Sequence, residues 1–268
     1  MADDGYRSEL VPGLRVVGDA ERLAAEIGFS AARLAELAAS PPGLYADVGG
    51  ERDLEEASWL ALLLAYLSPT EDEDPFATIR AARTTWAGGE VPGGLSGDEP
   101  PAVGPRSAYD PARGMETVAA YRRWAERSGS QAAAFTGEAH WDAERRFARA
   151  FERLALPGFH RTARFDLLTT LGRTGRYEMR AGSLLLAGAG AHDDTAVAAK
   201  RVFGIADPLL IDRRAAALGE AAGVPLEALD LALFNWQRGE ERRATLGAGD
   251  APSADTTHRD RAAAALGV

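Results

Sequence analysis

The hydrophobic residues of this chain recur at helical spacing almost throughout, and no segment alternates apolar and polar residues as a half-buried strand would. The most apolar predicted helix runs from Leu54 to Leu67. Its unbroken apolar run from Trp59 to Leu64 indicates burial on most sides. Asp53 is a good N-cap for this helix, and Ser68-Pro69 ends it. We therefore predict an all-α fold of about ten helices.

Cap residues and apolar spacing place most of the other helices. Asp19 opens one through Glu26, and Ser30 opens another that stops before Pro41. Later helices are predicted at His140–Leu154, Asp194–Val202, Asp207–Ala222 and Pro225–Gln237.

Three segments lack this pattern, and one of them is an irregular stretch from Gly172 to Asp194. Residues 87–114 are crowded with glycine and proline, which predicts a mobile loop, and residues 248–268 have the composition of a loose tail. We expect the whole chain, residues 1–268, to form a single domain, since the short helices and dispersed apolar faces favour one core.

Composition excludes several classes of site. The chain has no cysteine, so disulfides, zinc–thiolate centres, iron–sulfur clusters and cysteine nucleophiles are absent. The amino terminus is acidic and the longest apolar stretch is about half a membrane span, so we expect a cytoplasmic protein with no membrane partner. Motifs for nucleotide cofactors are missing, and we expect no cofactor. The cluster His192-Asp193-Asp194 is more typical of a helix cap than of a metal site.

Charge is unevenly distributed. The net charge of −10 disfavours indiscriminate nucleic-acid binding, yet residues 145–180 carry many arginines. They are Arg145, Arg146, Arg149, Arg153, Arg161, Arg164, Arg173, Arg176 and Arg180. Such a run indicates either a solvated basic face or a surface for a polyanion.

The most informative stretch is Leu156-Pro157-Gly158-Phe159-His160, which separates two predicted helices. A tight turn there would present backbone N–H groups beside the positive end of the second helix, an arrangement that suits a phosphate oxygen. Arg161 and Arg164 could add charge to the same contact. Alone, Pro-Gly between helices is typical of a plain turn.

With its surroundings, this stretch resembles the hairpin of the helix-hairpin-helix DNA glycosylase superfamily. Residues 57–68 look like the early buried helix of that superfamily, and residues 205–214 look like the segment that carries its catalytic aspartate, here Asp207. Thr162 stands where bifunctional members carry a Schiff-base lysine, so lyase chemistry by that route is not expected.

Two further departures are His160 in place of the second glycine of the hairpin and a longer interval before Asp207, filled by residues 172–194. These departures fit better one branch of the superfamily, the alpha-glutamyl/putrescinyl-thymine pyrophosphorylases, which residues 59–76, 156–171, 198–205 and 229–236 resemble. The resemblance implies an enzyme that acts on a base flipped out of DNA, whose 5-hydroxymethyl group is pyrophosphorylated. An amine or amino-acid co-substrate then displaces the pyrophosphate.

The resemblance suggests roles for individual residues. Asp207 would be the catalytic base, although an N-cap before Pro208 is the more common role of such an Asp-Pro pair. A DNA-binding surface would comprise Phe159, His160, Arg161, Arg164 and Arg213. Lys200, Arg201 and Arg214 would neutralise the leaving group, and Trp236 could stack on a base or simply pack in the core.

Two other functions stay open: a DNA glycosylase that excises a modified base, and a DNA-binding or interaction module without catalysis. If the protein binds DNA, we expect it to be associated with the nucleoid. The sequence does not indicate an oligomeric state.

Overall fold

A computed structural model describes residues 3–89, 92, 95, 100–113, 115–249 and 255–268. In this part of the chain there are twelve α-helices, one 3₁₀ turn and no strand, which confirms the all-α prediction. The helices are α1 (Val17–Ala39), α2 (Leu44–Gly50), α3 (Leu54–Leu67), α4 (Ala77–Ala82), α5 (Glu116–Arg127), α6 (Gln131–Thr136), α7 (Ala143–Arg153), α8 (Arg161–Arg173), α9 (Asp194–Phe203), α10 (Pro208–Ala222), α11 (Leu226–Arg238) and α12 (Thr257–Leu266); the 3₁₀ turn is Glu240–Arg242.

The helices fall into two compact units. The first comprises residues 1–35, 183–243 and 250–268, and the second comprises residues 36–182 and 244–249. Whether the chain folds as one domain, as the sequence indicated, stays a prediction. No helix within the described ranges is long and apolar enough to cross a membrane.

Helix α3 is the centre of the second unit. All residues from Ala57 to Leu67 are buried, and the helix packs against α2, α4, α6 and α8. Its predicted bounds are confirmed, because Asp53 caps it through a 2.8 Å hydrogen bond from the Glu55 backbone N–H. Helix α8 packs against both α3 and α7, so the turn between α7 and α8 is fixed from within this unit.

The first unit is built around α11, which packs against α9 and α10. Asp193 caps α9 by accepting a hydrogen bond from the Ala196 N–H at 2.9 Å, so the interpretation of this residue as a helix cap is confirmed. Gly204 ends α9 in the left-handed conformation, and Asp207 caps α10 three residues later. Both caps define a short connection between α9 and α10.

The structure differs from the predicted elements in several places, and α2 and α6 were not predicted at all. Helix α1 is continuous where two helices were expected, because Ser30 is fully buried within it rather than free to cap a new start. Residues 257–266 form α12 where a loose tail was expected, because Ala262 and Leu266 are buried and α12 packs against α10.

The segment expected to be a mobile loop is anchored over part of its length. The backbone N–H groups of Gly104, Ala108 and Tyr109 donate hydrogen bonds to carbonyl groups at the end of α3, at 2.9–3.1 Å. Arg106 is buried and forms a two-point ion pair with Asp166 of α8, at 2.6 and 2.8 Å. The prediction for residues 90, 91, 93, 94, 96–99 and 114 lies outside the described residues.

Candidate functional site

The connection between α7 and α8 contains a tight turn at Pro157-Gly158. The Phe159 N–H donates to the Leu156 carbonyl at 3.1 Å, and Gly158 has φ +74°, as the third position of a type II turn requires. The Thr117 hydroxyl of α5 donates to the Pro157 carbonyl at 2.9 Å. His160 is the N-cap residue of α8, but its side chain does not cap the helix. The turn is therefore held by its neighbours, and its geometry agrees with the turn predicted from sequence.

The two arginines that open α8 point inward. Arg161 is only 2 % exposed, and its guanidinium lies 4.5 Å from the centre of the Phe165 ring. Arg164 is half-buried, lies 4.2 Å from the centre of the Phe151 ring and donates to the Phe151 carbonyl. Burial, together with the neighbouring charge of Arg161, lowers the pKa of Arg164. Both side chains therefore fasten α8 within its unit.

Other arginines of the 145–180 run also serve the fold. Arg146 is nearly buried and donates to the carbonyl groups of Thr136, Trp141 and Glu178 at 2.6–3.0 Å. Arg176 donates to the Glu51 carbonyl at 2.7 Å, and Arg180 pairs with Glu144 at 2.8 Å. Internal contacts thus engage only part of the basic run, since Arg145, Arg149, Arg153 and Arg180 are exposed.

A cavity of about 330 Å³ lies beside the α7–α8 turn. Its walls are residues 107–110, Arg113, Leu156 and residues 158–160. The His160 side chain is exposed, and its Nε2 lies 2.9 Å from the Ser107 carbonyl oxygen. Phe159, by contrast, is 2 % exposed and belongs to the core. Of the residues predicted to face DNA in this unit, only His160 is exposed.

The α9–α10 connection presents a carboxylate to solvent. Asp207 is exposed, and its Oδ1 accepts hydrogen bonds from the N–H groups of Leu209 and Leu210 at 2.9 and 3.1 Å. Its Oδ2 accepts no hydrogen bond from the described residues. Leu209 beside it is 72 % exposed. Asp207 is therefore the N-cap of α10, which is one of the two roles predicted for it. Its second carboxylate oxygen is left for another partner.

The cations of this connection differ in how they are engaged. Lys200 and Arg213 are exposed and make no hydrogen bond or ion pair within the described ranges. Arg201 donates to Gln237 Oε1 at 2.8 Å, and Arg214 donates to the Phe203 carbonyl. Lys200 and Arg213 are thus the two predicted cations that are free to meet an anion.

Trp236 has no exposed ring face in this structure. It is 1 % exposed, its Nε1–H donates to the Asp19 carbonyl at 3.0 Å, and the guanidiniums of Arg22 and Arg201 lie 4.7 and 4.9 Å from its ring centre. Since a base cannot stack on a covered ring, Trp236 acts here as a core residue, the second of the two roles the sequence allowed.

The predicted site residues thus fall into two groups. Phe159, His160, Arg161 and Arg164 belong to the second unit, whereas Asp207, Arg213, Lys200, Arg201, Arg214 and Trp236 belong to the first. Whether any of them touches DNA or substrate stays a prediction. In the described part of the chain, no group of three or more metal-ligating side chains could hold a metal ion.

Sequence reasoning missed Arg113. It lines the cavity at the α7–α8 turn, and its side chain is 46 % exposed. No motif could have identified it, because it lies in the glycine- and proline-rich segment that was interpreted only as a loop.

A family model, described as alpha-glutamyl/putrescinyl thymine pyrophosphorylase clade 3, matches residues 107–245. The match covers just over half of the chain and includes both helix connections described above. No curated protein and no solved structure matches the chain. The chain therefore belongs to the alpha-glutamyl/putrescinyl thymine pyrophosphorylase clade 3 family.

Proposed function

We propose that this protein replaces a pyrophosphate group on a modified thymine-type base of DNA with an amine. The observation that carries the proposal is the family match, which spans the α7–α8 turn, its cavity and the α9–α10 connection. The family description names glutamyl and putrescinyl thymine, so glutamate and putrescine are the amines we propose.

The reaction is a substitution at the methylene carbon attached to C5 of the base. The amine nitrogen forms a bond to this carbon, the bond from carbon to the pyrophosphate oxygen breaks, and pyrophosphate leaves with the bond electrons. The amine gives up one proton to a base. The glycosidic bond stays intact, so the DNA strand keeps its nucleotide.

Asp207 is the proposed proton acceptor. Its Oδ1 is occupied by two backbone N–H groups of α10, while Oδ2 is open to solvent and to a substrate amine. A carboxylate placed in this way can work as a general base without losing its role as a cap.

Charge for the leaving group would come from the same connection. Pyrophosphate carries several negative charges, so its departure is favoured by nearby cations. Lys200 is the proposed principal contact because it is exposed and has no partner in the described residues. Arg201 would assist, since its only described hydrogen bond is to the neutral amide of Gln237. Arg214 is held by the Phe203 carbonyl and would contribute only through its charge.

In the second unit, a DNA phosphate would be held at the α7–α8 turn; Arg213 is a separate candidate for a phosphate contact in the first unit. A phosphate at this turn would meet the positive end of α8, where the His160 side chain provides no cap. The target base would be flipped out of the stack, which costs a few kcal/mol and is cheapest for a modified or unpaired base.

The test uses DNA that contains pyrophosphorylated 5-hydroxymethyluracil, incubated with the protein and with glutamate or putrescine. We expect pyrophosphate to be released only when protein and amine are both present. Abasic sites formed without an amine would instead establish a glycosylase. DNA binding with neither product would establish the module without catalysis.

A further inference from the structure

We propose that Arg113 provides the cationic contact to a DNA backbone phosphate at the α7–α8 turn, in place of Arg161 and Arg164. This inference rests on the proposed function, because it assumes that the turn meets DNA. The cavity beside the turn would then bind a phosphodiester, and Arg113 would be the residue that contacts the phosphate.

Arg113 lies directly against the turn. A Cβ atom placed on Gly158 would lie 3.0 Å from Arg113 Cδ, so the arginine side chain crosses the turn at the one residue without a side chain. The segment that carries it is anchored nearby, where the Ser107 carbonyl oxygen lies 2.9 Å from His160 Nε2. A phosphate that approaches the backbone of residues 158–160 therefore meets the Arg113 side chain.

The ion pairs of Arg113 are weak enough to be exchanged. Its Nε lies 3.6 Å from Asp110 Oδ2 and its Nη1 lies 3.5 Å from Glu116 Oε2, and all three side chains are about half exposed. Exposed ion pairs of this kind contribute little to stability. A guanidinium can instead donate two parallel hydrogen bonds to a phosphate, which is the stronger arrangement.

The arginines that the sequence favoured for this role do not reach it. Arg161 is buried and Arg164 packs on Phe151, so a phosphate contact would require Arg161 to leave the core and Arg164 to give up its ring contact. Arg113 needs no such rearrangement, since its side chain already lines the cavity. Asp110 lines the same cavity and opposes an anion there, because its carboxylate competes with the phosphate for Arg113.

The test is the affinity of the full-length protein for labelled duplex DNA, measured by fluorescence anisotropy at several salt concentrations. We expect Arg113→Ala to weaken binding several-fold and to reduce the slope of log K against log salt by about one. We expect Asp110→Asn to strengthen binding, and Asn can still accept the Ala112 N–H bond that Asp110 accepts at 2.9 Å. Arg149→Ala is the matched control, because Arg149 is similarly exposed and pairs with Glu152 three residues on.

The outcomes separate the two proposals. If the wild-type protein binds no DNA, the proposed function fails and this inference fails with it. If the wild-type protein binds but Arg113→Ala keeps the same affinity and salt slope, only the assignment of Arg113 is overturned. An effect of Arg149→Ala as large as that of Arg113→Ala would also overturn it, since the loss would then reflect overall charge. The Asp110→Asn result decides the matter should Arg113→Ala fail to fold.

Discussion

The two helix connections that carry the predicted site residues use their charged side chains in opposite ways. At the α7–α8 turn, Arg161 is buried and Arg164 stacks on an aromatic ring. At the α9–α10 connection, Lys200 and Arg213 are exposed and unengaged within the described residues. Both stretches are rich in basic residues and both connect helices. The sequence therefore predicted anion-binding cations at both.

The difference follows from what surrounds each connection. Helix α8 packs against α3 and α7, and its first arginines are covered by the aromatic side chains Phe151 and Phe165. Long arginine side chains can cover apolar surface in this way, so their position beside a turn does not make them ligands. The first turn of α10 is largely exposed, and this includes the apolar side chain of Leu209. Burial therefore separates structural cations from available ones.

The largest effect should come from removing the proposed base at the α9–α10 connection. We expect Asp207→Asn to reduce the rate of pyrophosphate release by about a hundredfold or more, because the amide cannot accept the proton. The melting temperature should be nearly unchanged, since Asn caps helices about as well as Asp.

The matched control for that variant is Asp74→Asn. Asp74 also precedes a proline, and its carboxylate accepts the Phe76 N–H at 3.4 Å in the turn that leads into α4. Its substitution should leave the rate unchanged. Full activity in Asp207→Asn would reduce Asp207 to a cap.

The next largest effect concerns the shape of the α7–α8 turn. A Cβ atom on Gly158 would lie 2.3 Å from the Thr117 hydroxyl oxygen. The φ of Gly158 is +74°, which is unfavourable for residues other than glycine. We expect Gly158→Ala to lower the free energy of unfolding by about 2–4 kcal/mol, measured by urea denaturation.

Gly175→Ala is the control that measures backbone strain without a steric clash, since Gly175 has φ +72° but no atom within 4 Å of the added Cβ. Its cost should be about 1 kcal/mol. Equal costs at the two glycines would show that the contact with Thr117 is not tight.

A smaller effect distinguishes the arginines of the two connections directly. We expect Arg161→Ala to lower the free energy of unfolding by about 2 kcal/mol, because a buried side chain and its ring contact are lost. Arg213→Ala should change it by less than about 0.5 kcal/mol. Similar values for the two variants would remove the distinction between the connections.

Much of the fold was predictable because its signals are local. The bounds of α3, the caps at Asp53 and Asp207, and the turn at Pro157-Gly158 all follow from residues that act on their immediate neighbours. Helix α1 was divided wrongly because Ser30 is a cap residue by type, yet it is buried in the middle of a helix. Helix α12 was missed because it has few apolar residues, and the sequence does not show that Ala262 and Leu266 are buried by packing.

The candidate site was less predictable because it depends on contacts between distant segments. Arg113 and the α7–α8 turn are about forty residues apart, and nothing in the sequence near Arg113 shows that the two meet. The sequence left two roles open for Trp236, and its burial and its hydrogen bond to Asp19 of α1 agree with the role in the core. Motifs identified the turns and caps, and packing decided which side chains are exposed.

The most direct test of the proposed chemistry is mass spectrometry of nucleosides from DNA treated with the protein. The DNA would carry pyrophosphorylated 5-hydroxymethyluracil, and glutamate or putrescine would be supplied in parallel reactions with wild-type protein and Asp207→Asn. We predict a nucleoside whose mass equals thymidine with the amine substituted on its methyl carbon, formed by the wild-type protein and nearly lost in the variant. Release of a free base, or an unchanged modified nucleoside after DNA binding, would contradict the substitution reaction.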